Sequence, residues 1–282
     1  MNTFKTTALL TGLTLLLLFI GQSLGGQNGM TLALLMAILM NGIAYFFSDK
    51  IALKMSRAQP VTPEVAPRLY RITERLCGMA NLPMPKLYMI PEAAPNAFAT
   101  GRNPRHASVA VTAGLMEAMT DEELEGVIAH ELSHVRNYDI LTASIAATLA
   151  GAITWVADMA RWSMIFGGYD RDDEGGSPIG AILMLFLAPI AALIIQLAIS
   201  RQREYAADAS AARMAGHPFG LIRALEKLGA YNKRIPMHVS SATASLFIVA
   251  PLNVGGSLMN LFSTHPPLED RIETLRNLVV TR

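Results

Sequence analysis

The chain has 282 residues, with 23 Lys+Arg against 22 Asp+Glu, 52% hydrophobic residues and only 16% charged ones. An ordinary soluble domain carries about 25% charged residues, so charge is what this chain lacks. That composition excludes a disordered chain, and the formal net charge of +1 speaks against a nucleic-acid binder, which needs a basic excess. The single cysteine, Cys77, excludes an intrachain disulfide.

No charged residue lies between Lys5 and Asp49, and the glycine-rich stretch Gly21 to Gly29 splits that interval in two. Each half approaches the ~20 residues that cross ~30 Å of hydrocarbon, which reads as a membrane hairpin. The first half alone also has the form of a signal peptide, with Lys5 ahead of an apolar centre. A helix is expected over Pro63 to Ala80, with Val65, Leu69, Ile72 and Leu76 on one face, ending at Gly78 and Asn81. Three β-prone runs follow, Lys86 to Ile90, Ala97 to Thr100 and Ser108 to Thr112, separated by prolines and Gly101; they suggest a small antiparallel sheet. Thr120 and Glu123 form a capping-box signature opening another helix, on which Leu124, Val127, Ile128 and Val135 recur at helical spacing.

Two further uncharged runs occupy Ile140 to Ala157 and Gly175 to Ser200. The second is long enough to span; the Ala/Thr/Ser content of the first also suits a buried core helix. Beyond them, helices are expected from Arg201 to Ala215, stopped by Gly216, from Pro218 to about Tyr231, and from Pro267 onward, with a Gly/Ser-rich stretch before the last. With four crossings, Lys5, Lys50, Lys54, Arg57, Arg136, Arg201 and Arg203 fall on one side. The uncharged Gly21 to Gly29 and the acidic Asp170 to Glu174 fall on the other. By the positive-inside rule the termini and large polar segments face the cytoplasm.

Inside the capped helix stands His130-Glu131-Leu132-Ser133-His134. Histidines at i and i+4 share one helix face and can grip one Zn²⁺, while the intervening glutamate reaches a water on the open side. Hydrolysis needs that division of labour: a Lewis acid on the scissile carbonyl, and a carboxylate that takes the water's proton and hands it to the leaving amine. No His-x-x-Gly-x-x-His extension follows His134, so the third ligand must come from elsewhere. The candidates are His106, His217, His238, His265 and the acids. Glu204 is the best of them: it shares a helix face with Asp208 and is flanked by small alanines, so one acid can ligate while the other accepts the N–H of a ligating histidine. The competing reading is a solvated helix with surface histidines and acids.

The ordered set His-Glu-x-x-His, a pair of apolar segments, Glu-x-x-x-Asp, Asn96 to Gly101 upstream and Ser263-Thr264-His265-Pro266-Pro267 downstream resembles the HtpX family of bacterial membrane zinc metallopeptidases, relatives of the CAAX prenyl protease. The resemblance covers essentially the whole chain. It implies a gluzincin-type endopeptidase with one Zn²⁺ per chain: His130, His134 and Glu204 as ligands, Glu131 as catalytic acid/base and Asp208 behind the ligands. It further implies an edge strand for extended substrate at Asn96, Ala97, Phe98 and Ala99, against the plainer reading of a hairpin strand without substrate contact. His265 is either a donor to the oxyanion or a cap of the last helix. His106, His217 and His238 carry no motif, and Arg203 belongs either to the carboxylates behind the ligands or to the membrane boundary.

The expected protein is thus a mainly α membrane protein with about four transmembrane helices and an α+β zinc-peptidase domain holding a small antiparallel sheet. Its parts are an amino-terminal hairpin (1–50), the first peptidase segment with the zinc helix (51–139), a second hairpin (140–200) and the second peptidase segment (201–282). The family resemblance implies a multi-pass protein of the bacterial inner membrane, active on the cytoplasmic side in stress-related quality control. Its partners are misfolded membrane proteins, the lipid bilayer and other membrane quality-control proteases, with no nucleic acid. The alternatives are a prenyl-protein protease and a catalytically silent zinc-binding membrane adaptor.

Overall fold

The computed structural model describes residues 2–151, 200–237, 239, 241–251 and 265–278. The uncharged amino-terminal interval forms α1 (Asn2–Met55), two helical limbs broken where Gly25 (φ −143°, ψ 18°) and Gly26 (φ 55°, ψ −140°) leave helical geometry. Gly26 needs the positive φ that a residue without Cβ adopts at no cost. The limbs return antiparallel and in close contact: a Cβ on Gly29 would stand 2.2 Å from the Gly21 carbonyl oxygen. Asn41 Nδ2 donates to Thr14 Oγ1 across the limbs at 2.9 Å. The second limb, Gly25–Met55, is long and apolar enough to cross a membrane; the apolar helix of the first, Thr6–Phe19, is shorter. Leu32, Leu35, Ile38 and Leu39 are each more than half exposed, as a lipid-facing surface requires.

The next helix, α2, spans Pro67–Ala80 rather than starting at Pro63. Residues 62–66 form a turn instead, with Val65 and Ala66 N–H both bonded to the Thr62 carbonyl. Pro67, which has no N–H to lose, takes the first-turn position. Val65 is accordingly exposed, while Leu69, Ile72 and Leu76 are buried as the periodicity requires. Asn81 ends the helix in the left-handed conformation.

The sheet is mixed, which corrects the antiparallel expectation. Its strands are β1 (Gln59–Pro60), β2 (Lys86–Ile90), β3 (Ala97–Gly101) and β4 (Ala107–Thr112), in the order β1-β2-β4-β3. Pro91 and Pro95 interrupt the connection after β2, so no tight hairpin forms there; the chain passes β4's place and returns. β3 and β4 then pair antiparallel and β4 docks parallel to β2. Consequently β3 is an edge strand among the described residues.

After α3 (Ala113–Ala118) comes the central helix α4 (Asp121–Arg136), which carries both halves of the expected capping box. Leu124, Val127, Ile128 and Val135 are fully buried. A break at Tyr138 (φ 59°) separates α4 from α5 (Asp139–Gly151). Ile145 and Leu149 of α5 pack with Leu13 and Ala44 of α1, and Thr6 and Thr142 share a hydrogen bond of 2.9 Å. Thus the start of the third apolar run lies against the amino-terminal hairpin. The rest of that run, the acidic loop and residues 175–199 of the fourth run lie outside the described residues.

The carboxy-terminal segment supplies α6 (Arg201–Ala215), stopped by Gly216 at φ 82°, α7 (Phe219–Asn232), the short α8 (Ser241–Ala244) and α9 (Leu268–Arg276). Helices α6 and α7 pack on α4. The approach of α7 is backbone to backbone: a Cβ on Gly220 would meet the Glu122 carbonyl oxygen at 2.2 Å, and one on Gly126 the Leu221 nitrogen at 2.5 Å. Residues 245–249 run through the interior beside β3, where Ile248 N–H donates to the Ala97 carbonyl at 3.0 Å.

A candidate metal centre

Helix α4 places His130 and His134 one turn apart on the face turned toward α6. Their Nε2 atoms stand 3.2 Å from each other. Ala207, Ala211 and Ala212 on α6 are almost wholly buried, and their small side chains let the two helices close up. Glu204 therefore arrives with Oε2 at 3.6 Å from His130 Nε2 and Oε1 at 3.6 Å from His134 Nε2. One ligand atom from each of His130, His134 and Glu204 lies within 4.8 Å of the others.

The outward ring nitrogens are both engaged. His130 Nδ1 donates to Asp208 Oδ1 at 2.9 Å, one turn along α6 from Glu204. His134 Nδ1 donates to Asp139 Oδ2 at 3.0 Å. With its outer nitrogen donating, each imidazole can offer the inner nitrogen's lone pair to a metal. Two imidazoles and a carboxylate gathered at one point form a donor set that could hold a metal ion. Glu204 Oε2 is also buried without a hydrogen-bond partner among the described residues. The donor set of two imidazoles and one carboxylate, with an adjoining cavity of about 40 Å³, suits a catalytic zinc with one position left for water.

Burial alone would lower the pKa of His130; the Asp208 and Glu204 carboxylates beside it outweigh burial and raise it to about 9. Burial works to raise the Glu204 carboxyl, but His265, His134 and His130 hold it well below its ordinary value. Asp208 is likewise held low against burial, by Arg271. Glu131 goes the other way. Burial raises its carboxyl above the ordinary 4.5, opposed by the neighbouring histidines and by a hydrogen bond with the Ala99 backbone. A carboxylate raised toward neutrality is suited to proton transfer.

Arg271, which the sequence alone did not single out, is the largest fully buried side chain among the described residues. From α9 it grips Asp208 with both arms, Nε to Oδ2 at 2.8 Å and a terminal nitrogen to Oδ1 at 2.7 Å. It also donates to the Ile248 carbonyl at 2.9 Å. Asp139 was missed as well. Arg203 meets it at 3.1 Å, so this arginine attends a carboxylate behind a histidine, one of the two roles open to it from sequence.

His265 lines the cavity, its Nδ1 at 3.2 Å from Glu204 Oε2. Asn96, Ala97, Phe98 and Ala99 are all buried, and Ala99 lines the cavity too. The edge of β3 is partly engaged by the chain itself, because Asn96 Nδ2 donates to the Val249 carbonyl at 2.8 Å, adding to the Ile248–Ala97 bond. The remaining histidines stand apart: His106 bonds Asn103 at the surface, His217 lies 3.8 Å from Glu122, and His238 is outside the described residues.

The sequence profile of Peptidase family M48 matches residues 63–279. A protein named Protease HtpX homolog from Desulforapulum autotrophicum is 57% identical over 278 residues, covering 98% of this chain and 90% of that one. A second of the same name, from Aquifex aeolicus, is 52% identical over 268 residues, covering 93% and 88%. Among solved structures, S. mikatae Ste24p superposes with a TM-score of 0.51 at 19% identity, covering 94% of this chain but 62% of that one. The likeness to Ste24p is one of fold, and this chain spans less than two thirds of Ste24p.

Proposed function

The chain belongs to peptidase family M48, a family of zinc-dependent metallopeptidases, and on that premise we propose that it is a membrane zinc endopeptidase that cleaves misfolded or damaged membrane proteins on their cytoplasmic side. The observation that carries the reading is the convergence of His130, His134 and Glu204 on one point, with the buried Glu131 beside them. One zinc per chain, held by those three side chains, would polarise the scissile carbonyl and acidify a water at the open position. Glu131 takes the proton of that water and delivers it to the leaving amine. Asp208 and Asp139 hold the imidazole protons outward. His265 donates to the developing oxyanion, or steadies Glu204, which it already touches. A His265→Ala variant separates these two tasks: an oxyanion role lowers kcat with zinc affinity unchanged, a steadying role lowers zinc affinity.

Extended substrate pairs with the edge of β3 along Asn96 to Ala99, in the strand-addition mode, after the chain's own residues 248 and 249 yield the edge. This topology takes four membrane crossings: the α1 hairpin would supply two, and the uncharged runs beginning at Ile140 and Gly175 the others. The basic residues gathered on the peptidase side favour a cytoplasmic active site in the bacterial inner membrane. Loosened membrane proteins, shared with other membrane quality-control proteases, are then the substrates within reach.

The test is the full-length Glu131→Gln protein in bilayers. Zinc binding retained with proteolysis of an unfolded membrane substrate lowered by about 10²–10⁴-fold supports the mechanism; unchanged proteolysis, or full activity after exhaustive chelation, removes it. Zinc binding with no proteolysis even in the unaltered protein would favour the silent adaptor. The Ste24p-like fold keeps prenyl-protein cleavage as the second reading, checked with an isoprenylated CAAX peptide in the same assay.

A further inference from the structure

The two metal-side histidines are steadied in different ways. His130 is held by Asp208, four residues along α6 from the third ligand. His134 is held by a residue of its own segment, Asp139. On a continuous α-helix, positions five apart point about 140° away from each other around the axis at 3.6 residues per turn, so this bond requires the helix to break. It breaks at Tyr138, which adopts φ 59° although it is neither glycine nor asparagine. Left-handed geometry at such a residue costs roughly 1–2 kcal/mol. The turn it makes carries Asp139 back to His134 and buries it to 5% exposure.

The other oxygen of the same carboxylate receives Arg203 at 3.1 Å, and Arg203 directly precedes Glu204 on α6. One carboxylate therefore bridges the two helices that supply all three candidate ligands. Its place in the chain matters as much. Asp139 is the last charged residue before the uncharged run at Ile140, and Arg203 lies in the first turn after the run ending at Ser200. Thr142, on the first turn of α5, is bonded to Thr6 of the amino-terminal hairpin, which anchors this junction to the apolar part of the molecule.

We propose that Asp139 is a positioning residue for His134, and that its ion pair with Arg203 fastens the two ends of the central apolar segment to the metal centre. The assignment rests on the zinc-peptidase reading. In that reading Asp139 fixes the ring's tautomer and orientation and raises its basicity, while Arg203 fixes Asp139. Relative movement of the two segment ends then loosens the metal.

The experiment is zinc affinity, by competition with a chromophoric chelator, on the full-length protein in bilayers, together with the visible spectrum of the Co²⁺-loaded protein. Asp139→Ala weakens zinc 10–100-fold, the range for partners standing behind metal ligands. Asp139→Asn, which keeps the shape and loses the charge, weakens it by about tenfold and shifts the Co²⁺ bands. Arg203→Ala gives a smaller loss in the same direction, and Arg203→Lys restores part of it. Thr142→Val disturbs the same junction without touching His134 and leaves both readouts unchanged. Zinc affinity within about twofold of the unaltered chain in both Asp139 variants, or an equal loss in Thr142→Val, overturns the proposal. Persistent proteolysis by Glu131→Gln would instead overturn the peptidase mechanism and leave these binding results standing.

Discussion

The metal-side region and the amino-terminal hairpin both bury polar side chains, and they do so with different chemistry. Around α4 the buried groups are ionic and doubly held: Asp208 accepts from Arg271 and His130, and Asp139 from Arg203 and His134. In the hairpin they are neutral: partly buried Asn41 is matched with Thr14 and the Leu10 carbonyl, and buried Thr6 with Thr142. A charge buried in protein is tolerated when its partners leave no lone pair unmatched, whereas lipid surroundings offer no water to share the cost of an imperfect match. Ionic pairs therefore occur where function needs charge, and neutral pairs where only helix registry is required.

The sharpest contrast is at Glu131. Glu131→Gln lowers the rate of proteolysis by about 10²–10⁴-fold, the usual worth of a general acid–base group, with zinc affinity retained. It should also stabilise the metal-free fold. The folded-state pKa of Glu131 is raised above its ordinary 4.5, so the stability linked to its proton is full below that value and is lost as pH rises through the raised one. Glutamine imitates the protonated form. Metal-free Glu131→Gln thus unfolds at a higher temperature than the unaltered chain at pH 7, and the gap narrows toward pH 4; a gap that widens on acidification would contradict the assignment. Next in size is Arg271→Ala, which leaves Asp208 buried and unpaired, at about 3–5 kcal/mol of stability and a weaker hold on zinc, both measured on purified protein. Adding Asp208→Asn to an Arg271→Met background removes the orphaned charge and recovers part of the loss in stability.

Much of this was readable in the sequence, for reasons that differ by residue. His130, Glu131 and His134 announce themselves because their spacing matches the helical period, and the Thr120–Glu123 box marks where that helix starts. Glu204 and Asp208 follow by the same periodicity. Asp139 escaped because its distance from His134 matches no helical spacing; only the left-handed turn at Tyr138 brings the two together. Arg271 escaped because a buried arginine and a solvated one look alike within an amphipathic helix, and its partner lies 63 positions away. Strand positions were legible from β-prone runs between prolines, but their directions were not. Pairing of β4 with β2 depends on how the chain between them crosses, which local composition does not encode. Val65 fitted the helical stripe yet stays outside it, since Pro67 sets the first turn.

The cap of α4 sits between the two regimes, a neutral hydroxyl serving an ionic helix. Thr120 Oγ1 accepts from Glu123 N–H at 3.4 Å, and the Glu123 carboxylate accepts from Thr120 N–H at 2.8 Å and from Lys227 at 2.7 Å. Thr120→Ala costs about 1 kcal/mol in unfolding free energy. The carboxylate bonds to Lys227 and to the Thr120 backbone survive it, so activity at moderate temperature is unaffected.

The smallest effect belongs to the hairpin. Asn41 Oδ1 is buried without a hydrogen-bond partner among the described residues, so this amide is only half satisfied. Thr14→Val removes the 2.9 Å bond to Asn41 Nδ2 and leaves a longer one, 3.4 Å, to the Leu10 carbonyl. Asn41→Leu removes the donor and the unmatched oxygen together. A double-mutant cycle between the two positions should give a coupling of about 0.6 kcal/mol, the average for hydrogen bonds between membrane helices. Asn41→Leu alone should be close to neutral, because the bond it loses is offset by the oxygen it no longer buries. Zinc affinity and proteolysis should not move in either variant. A coupling as large as the loss in Arg271→Ala would show that the hairpin relies on its polar pairs as heavily as the metal side does, and the contrast between the two regions would fall.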